Sequence, residues 1–212
     1  IKKIKSKYIT VLDDAYPEEL RHIYMPPLVL YYYGDISLLK SEEVKVAVVG
    51  SRECSEYGKM MTRELVTPMA EKNRIIVSGL ARGIDGVAHE SCLKVKGKTM
   101  AVLGSGIDYP YPKSNLHLYE EIKKHHLLIS EYPNMTSPTP DNFPARNRIV
   151  AGIADKVLVT EAYVNSGTNI TVLYALRQGK DVMAVPHEAK KNSACNRLIQ
   201  DGAFLVESPE DV

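Results

Sequence analysis

The residues able to do chemistry in this sequence are arginines, aromatics and small hydroxyls set beside glycines. The segment Asn142-Phe-Pro-Ala-Arg-Asn-Arg-Ile-Val150 carries Phe143 followed by Arg146, Asn147 and Arg148. A ring offers a stacking face that accepts any base, and guanidinium groups pair with phosphate oxygens, so the stretch suits a single-stranded nucleic acid. It suits equally a core phenylalanine beside an arginine salt-bridged to Glu131 or Glu161. A second stretch holds Ser78, Gly79, Leu80, Ala81, Arg82 and Gly83 and ends on Asp85. Glycines at a strand-to-helix turn let a phosphate approach backbone amides at a helix start. A tight turn capped by Asp85 explains the same residues. Gly50, Ser51 and Arg52 end another apolar run, and Ser166, Gly167 and Thr168 open a helix where they add anion-binding donors or simply cap it.

Other motifs fail on their spacing. Gly104-Ser-Gly106 begins like a dinucleotide fingerprint, but Tyr109 stands where the third small residue belongs. Gly97-Lys98-Thr99 resembles the end of a phosphate-binding P-loop, yet Cys92 replaces its first glycine and the Lys-Thr pair enters a strand. No acidic pair has a magnesium-binding context, and no Ser-His-Asp or Cys-His set assembles. Cys54, Cys92 and Cys195 lie far apart without zinc spacing, so neither a disulfide framework nor structural zinc is expected. His89 reads as a packed or pocket-lining residue, His125-His126 as a helix end, and His187 as following a strand. No cofactor, metal or catalytic residue is expected.

These loops need a scaffold, and the apolar pattern supplies one. Runs at 44–50, 75–79, 99–104, 127–130, 157–160, 182–185 and 204–206 are several times continuous rather than alternating, as in strands buried on both faces. Helical spacing occupies 59–71, 86–96, 115–124, 146–154, 169–178 and 195–200. That alternation predicts an α/β fold: a Rossmann-like, doubly wound, mostly parallel sheet with helices on both faces and ligands beyond the carboxyl ends of the strands. Residues 1–43 break the rhythm and are expected to be an N-terminal extension that adds to the sheet, with 28–34 as a strand; the Rossmann-like domain is expected over 44–212. The lysines among residues 1–7 read as a solvated arm.

Composition bounds the function. The 212 residues are 44% hydrophobic and 25% charged, enough for a sizeable core. Lys plus Arg number 27 against 26 Asp plus Glu, so any polyanion must be bound locally rather than by the body as a whole. There is no apolar run of membrane length, and the basic start lacks the apolar stretch of a signal peptide. A cytoplasmic protein is expected, and one that reads as a piece of a longer chain.

The motifs together resemble the DNA-processing protein A family, also called DprA or Smf. The resemblance rests on Ser78-Gly-Leu-Ala-Arg-Gly-Ile-Asp85 with Ala88-His89, Gly104-Ser-Gly-Ile-Asp108 with Tyr111-Pro-Lys113, and Ser130-Glu-Tyr132. Phe143-Pro-Ala-Arg-Asn-Arg-Ile149, Ser166-Gly-Thr168 and Asn196-Arg-Leu-Ile-Gln-Asp-Gly-Ala203 complete it in order over about residues 16–212. It implies an extended Rossmann-like, non-enzymatic homodimer that binds and protects incoming single-stranded DNA and loads the RecA recombinase on it during natural transformation. It implies that Arg52, the Ser78 to Gly83 loop, Lys113 and the Phe143 to Arg148 segment line the DNA pocket, with Arg52 and Lys113 on phosphates. It also implies flanking domains, a small helical one before and a winged-helix-like one after. The chain departs from the pattern at Pro186-His187, at Cys195 and within Ser166-Gly-Thr-Asn-Ile-Thr171. The alternative is a nucleotide-binding protein or a nucleotide phosphoribohydrolase of related fold. That enzyme class resembles this chain in its Gly-Thr loop, but Thr171 stands where its catalytic glutamate would be.

Overall fold

The computed structural model describes residues 6–189 and 192–212. Among them, one sheet of nine strands runs β1(Lys7–Thr10), β2(Val29–Gly34), β6(Leu127–Ser130), β5(Thr99–Leu103), β4(Ile75–Ser78), β3(Lys45–Gly50), β7(Lys156–Glu161), β8(Asp181–Ala184), β9(Phe204–Leu205) from edge to edge. From β6 to β9 every pairing is parallel, whereas β1 pairs β2 and β2 pairs β6 antiparallel. Seven α-helices accompany the strands among the described residues: α1(Glu18–Arg21), α2(Glu56–Glu71), α3(Ile84–Lys94), α4(Leu116–His125), α5(Asn142–Ile153), α6(Thr168–Arg177) and α7(Ala194–Gln200). The expected mostly parallel, doubly wound architecture is present, with helices on both faces.

The continuous apolar runs have a direct cause. Along β3, Ala47 and Val49 pack with Leu20, Ile149 and Val172 of α1, α5 and α6, while Val46 and Val48 pack with Leu65 and Ala88 of α2 and α3. Farther along that second face, Ala101, Leu103 and Leu128 meet Leu118 and Ile122 of α4. A strand covered on both sides has no position for a polar residue to alternate into. Residues 7–34 extend the sheet through the β1–β2 hairpin, and Tyr16 is fixed by its hydroxyl donating to the Pro27 carbonyl at 2.8 Å. Most of the lysine-rich start lies outside the described residues; Lys7 itself begins β1.

The chain runs outward in one direction from β3 through β4, β5 and β6, then returns to place β7 on the other side of β3. This reversal leaves a crevice beyond the carboxyl ends of β3 and β7, where doubly wound sheets bind ligands. One boundary differs from expectation in a way that matters there. Helix α5 starts at Asn142 rather than 146, so Phe143 lies on the helix with Arg146 and Arg148 and not in a segment leading into it. Pro144 lies in its first turn, where a missing N–H breaks no intrahelical bond.

Candidate functional site

A cavity of about 880 Å³ opens at the reversal point, within the range of ligand sites. Three connections and one helix build most of its wall. From the β3 end come Gly50, Ser51 and Arg52; from the β4–α3 loop, Gly79, Ala81 and Arg82; from the start of α6, Ser166, Gly167 and Thr168. Helix α5 contributes Phe143, Arg146, Asn147 and Val150. Those four share one helical face, at spacings of three, four and seven residues.

The aromatic and the cation meet as a stack. The Arg52 guanidinium carbon lies 4.8 Å from the centre of the Phe143 ring, and the Tyr111 and Phe143 ring centres are 5.7 Å apart. Gly104 makes room for this ring, since a Cβ there would lie 2.8 Å from Phe143 Cδ1. The apparent G-x-G motif therefore serves packing. Arg52 and Arg82 are exposed, and among the described residues neither has a carboxylate at ion-pair distance.

Buried carboxylates hold the loops. Glu161, at the end of β7, accepts from the Ser55 amide and hydroxyl, both at 2.9 Å, and from the Tyr163 hydroxyl at 3.0 Å. Ser55 in turn accepts from the Gly58 amide at 3.1 Å and caps α2. The strand-end connection carrying Arg52 is thereby anchored at both ends, since the Ser51 amide donates to the Glu161 carbonyl at 2.7 Å. Asp85 does not cap α3, whose N-cap is Gly83; it reaches back to the β4–α3 loop. Burial pushes its carboxyl above the usual range, against the pull of the Arg146 guanidinium. Burial likewise pushes Arg146 down to about 10.

Several residues singled out from sequence stand away from the cavity wall. Ser78 is buried and donates to the Val48 carbonyl at 2.7 Å. Leu80 is fully buried with a φ of +57°, and Gly83, at +74°, packs on the Ser51 carbonyl. Lys113 is exposed in a 3₁₀ turn before α4. Arg148 makes the alternative contact raised by its sequence: its Nη1 and Nη2 pair with Glu131 Oε1 and Oε2 at 2.7 and 2.6 Å. Sequence reasoning missed Asp85 as a wall residue, Tyr111, and the 138–140 stretch, which also line the cavity together with Glu53, Tyr163 and Thr171. Tyr111 had a signal, because an aromatic flanked by prolines in a long strand-end loop is a stacking candidate. His187 does not line the cavity, and its Nε2 lies 3.0 Å from the Thr160 carbonyl. Lys190 and Lys191, between the departures at Pro186-His187 and Cys195, fall outside the described residues. Among those described, no cluster of His, Cys, Asp and Glu could hold a metal, and no helix is long and apolar enough to cross a membrane.

Known proteins are similar to this chain in sequence and in fold. The sequence pattern of DNA recombination-mediator protein A matches residues 7–212. DNA processing protein DprA of Streptococcus pneumoniae is 45% identical over 205 residues, which are 96% of this chain and 72% of that protein. DprA of Bacillus subtilis is 41% identical over 206 residues, covering 96% and 69%. The X-ray structure of the pneumococcal protein superposes with a TM-score of 0.93 at 44% identity, over 98% of this chain and 73% of that one. DprA from Helicobacter pylori, solved for insight into its single-stranded DNA binding mode, gives 0.88 at 30% identity over 97% and 93%.

Proposed function

The chain belongs to the DNA recombination-mediator protein A family, and on that premise we propose that its cavity binds single-stranded DNA without sequence preference. The observation carrying the proposal is the stack of Arg52 on Phe143 beside Tyr111, inside a crevice rimmed by small hydroxyl residues and glycines. A base stacks on the rings whatever its identity, while Arg52 and Arg82 take the flanking phosphates. The H. pylori relative, described for its single-stranded DNA binding, supports the same use of this fold.

The role extends, in this reading, to protecting incoming DNA and loading the RecA recombinase on it during natural transformation, as a cytoplasmic homodimer. In this reading the protein acts without catalysis, because Thr171 stands at the sequence position where a phosphoribohydrolase of this type carries its catalytic glutamate.

The test is fluorescence anisotropy with labelled oligo-dT across a salt series. Each phosphate-contacting cation contributes about 0.7 to the logarithmic salt slope of a single strand, so Arg52→Ala should weaken binding and flatten that slope by about this amount. Tight binding with an unchanged slope in the variant would overturn the site. Release of free base from nucleoside monophosphates would overturn the non-enzymatic reading.

A further inference from the structure

The β4–α3 loop has the composition of a phosphate cradle, yet the amides of Gly79 and Ala81 and the carbonyls of Gly79, Leu80 and Ala81 already have partners. Asp85 Oδ2 accepts from the Gly79 amide at 3.1 Å and the Ala81 amide at 3.4 Å. Arg146 Nη1 donates to the Gly79 carbonyl at 2.7 Å and also to the Val102 carbonyl. Asn115 Nδ2 donates to the carbonyls of Leu80 at 3.1 Å and Ala81 at 2.8 Å. The carboxylate thus sits where an anion would seat on amides of this kind. Gly79 lacks a side chain for a related reason: a Cβ there would lie 2.6 Å from Arg146 Cζ. Its smallness admits the guanidinium, not an incoming phosphate. Between the two bonded amides, Leu80 holds a left-handed backbone conformation that a residue with a Cβ keeps only when its surroundings impose it.

We infer that Asp85 and Arg146 are positioning residues: the buried carboxylate is a built-in substitute for phosphate, and the two side chains lock the loop that presents Arg82 to the cavity. DNA phosphates then fall to Arg52 and Arg82, not to the amides of Gly79 and Ala81. This deepens the single-stranded DNA reading and rests on it. It also predicts a sign. An acid that merely faces a polyanion's cavity repels it, so its removal tightens binding; an acid that clamps the wall weakens binding when removed.

Oligo-dT anisotropy distinguishes the two. Asp85→Ala leaves two amide donors without their acceptor, and binding should weaken about tenfold or more. Asp85→Asn keeps an oxygen that can accept from both amides and should retain most of the affinity, including where the alanine variant folds poorly. Arg146→Gln should weaken binding at an unchanged salt slope. Tighter binding by Asp85→Ala, or a slope flattened by about 0.7 in Arg146→Gln, overturns the inference. Hydrogen exchange of the Gly79 and Ala81 amides in the DNA-free protein decides the clamp separately. It should be slow in the wild type and at least about tenfold faster in Asp85→Ala, and equal rates overturn the clamp. Failure of the wild type to bind oligo-dT sinks the DNA reading instead, and the exchange result still decides what holds the loop.

Discussion

Replacing Arg148 by alanine separates fold from function in this cavity's neighbourhood. Its side chain is 8% exposed and that of Glu131 17% exposed, and the two are joined by paired bonds of 2.7 and 2.6 Å. The same guanidinium donates to the Ala145 carbonyl and, through Nε, to the Met25 carbonyl, both at 2.8 Å. It therefore ties the segment before β2 to helix α5 and to the end of β6. Alanine would leave Glu131 largely buried and unpaired, a change that costs about 3–5 kcal/mol. For a chain of this size the melting temperature should fall by about 6–20 °C, read by calorimetry. Among the molecules still folded, DNA affinity and salt slope should be unchanged, because Arg148 lies off the cavity wall. Removing both charges in Arg148→Met with Glu131→Leu should restore much of the stability, since no lone charge remains. An Arg148→Ala protein with wild-type melting and a salt slope flattened by about 0.7 would refute this reasoning and return Arg148 to the DNA.

Three other outcomes follow from the geometry. Phe143→Ala removes one stacking platform of about 1–3 kcal/mol, so oligo-dT affinity should drop by roughly 5- to 150-fold at an unchanged salt slope; equal affinity would remove the ring from the interface. Gly58→Ala puts a Cβ 2.9 Å from Glu161 Cδ. It should dislodge the carboxylate from Ser55 and cost about 1–2 kcal/mol of helix-cap stability in urea unfolding, with wild-type stability as the contrary result. His89 is buried with its Nδ1 2.8 Å from Thr99 Oγ1, and burial pulls it down to about 3. Since the Thr99 hydroxyl donates to the Ile76 carbonyl, the ring proton belongs on Nδ1. Below pH 6.5 the unfolded chain takes up a proton that the folded chain refuses until about pH 3, so stability falls with pH across that window and not above it. The stability advantage of wild type over His89→Gln should shrink by about 2 kcal/mol between pH 6.5 and 5, and parallel pH profiles would contradict the assignment.

The fold was legible because burial on both faces leaves a mark that survives without tertiary information. Val46 to Val49 are all apolar because two helical layers press on β3. The start of α5 was less legible, as Pro144 reads as a helix breaker unless it is placed in the first turn. That misplacement had a cost. With helix expected only from 146, Phe143 stands outside it, and the two arginines group with the ring as one ligand-facing stretch although both lie within the expected helix. On a helix, residues two apart diverge by roughly 200°, so Arg146 turns with Phe143 and Val150 toward the cavity while Arg148 turns toward Glu131. Asp85 was harder still, because whether a carboxylate caps its own helix or bonds the preceding loop depends on the path of that loop. The left-handed turn at Leu80 decides it, and leucine carries no sign of such a conformation.

The near-neutral charge of the chain takes on meaning at this cavity. Of the cations near it, Arg146 is engaged with backbone carbonyls and Arg148 with Glu131, which leaves Arg52 and Arg82 on the wall. Two phosphate contacts would give a salt slope of only about 1.4, far shallower than that of a protein covering a duplex with lysines and arginines. Affinity in such a site must come mainly from stacking on Phe143 and Tyr111, which salt does not screen. Binding that persists at high salt and collapses on removing the rings is therefore the signature this geometry demands. A steep slope would mean that the strand runs on beyond the cavity, over Lys113 or other exposed cations.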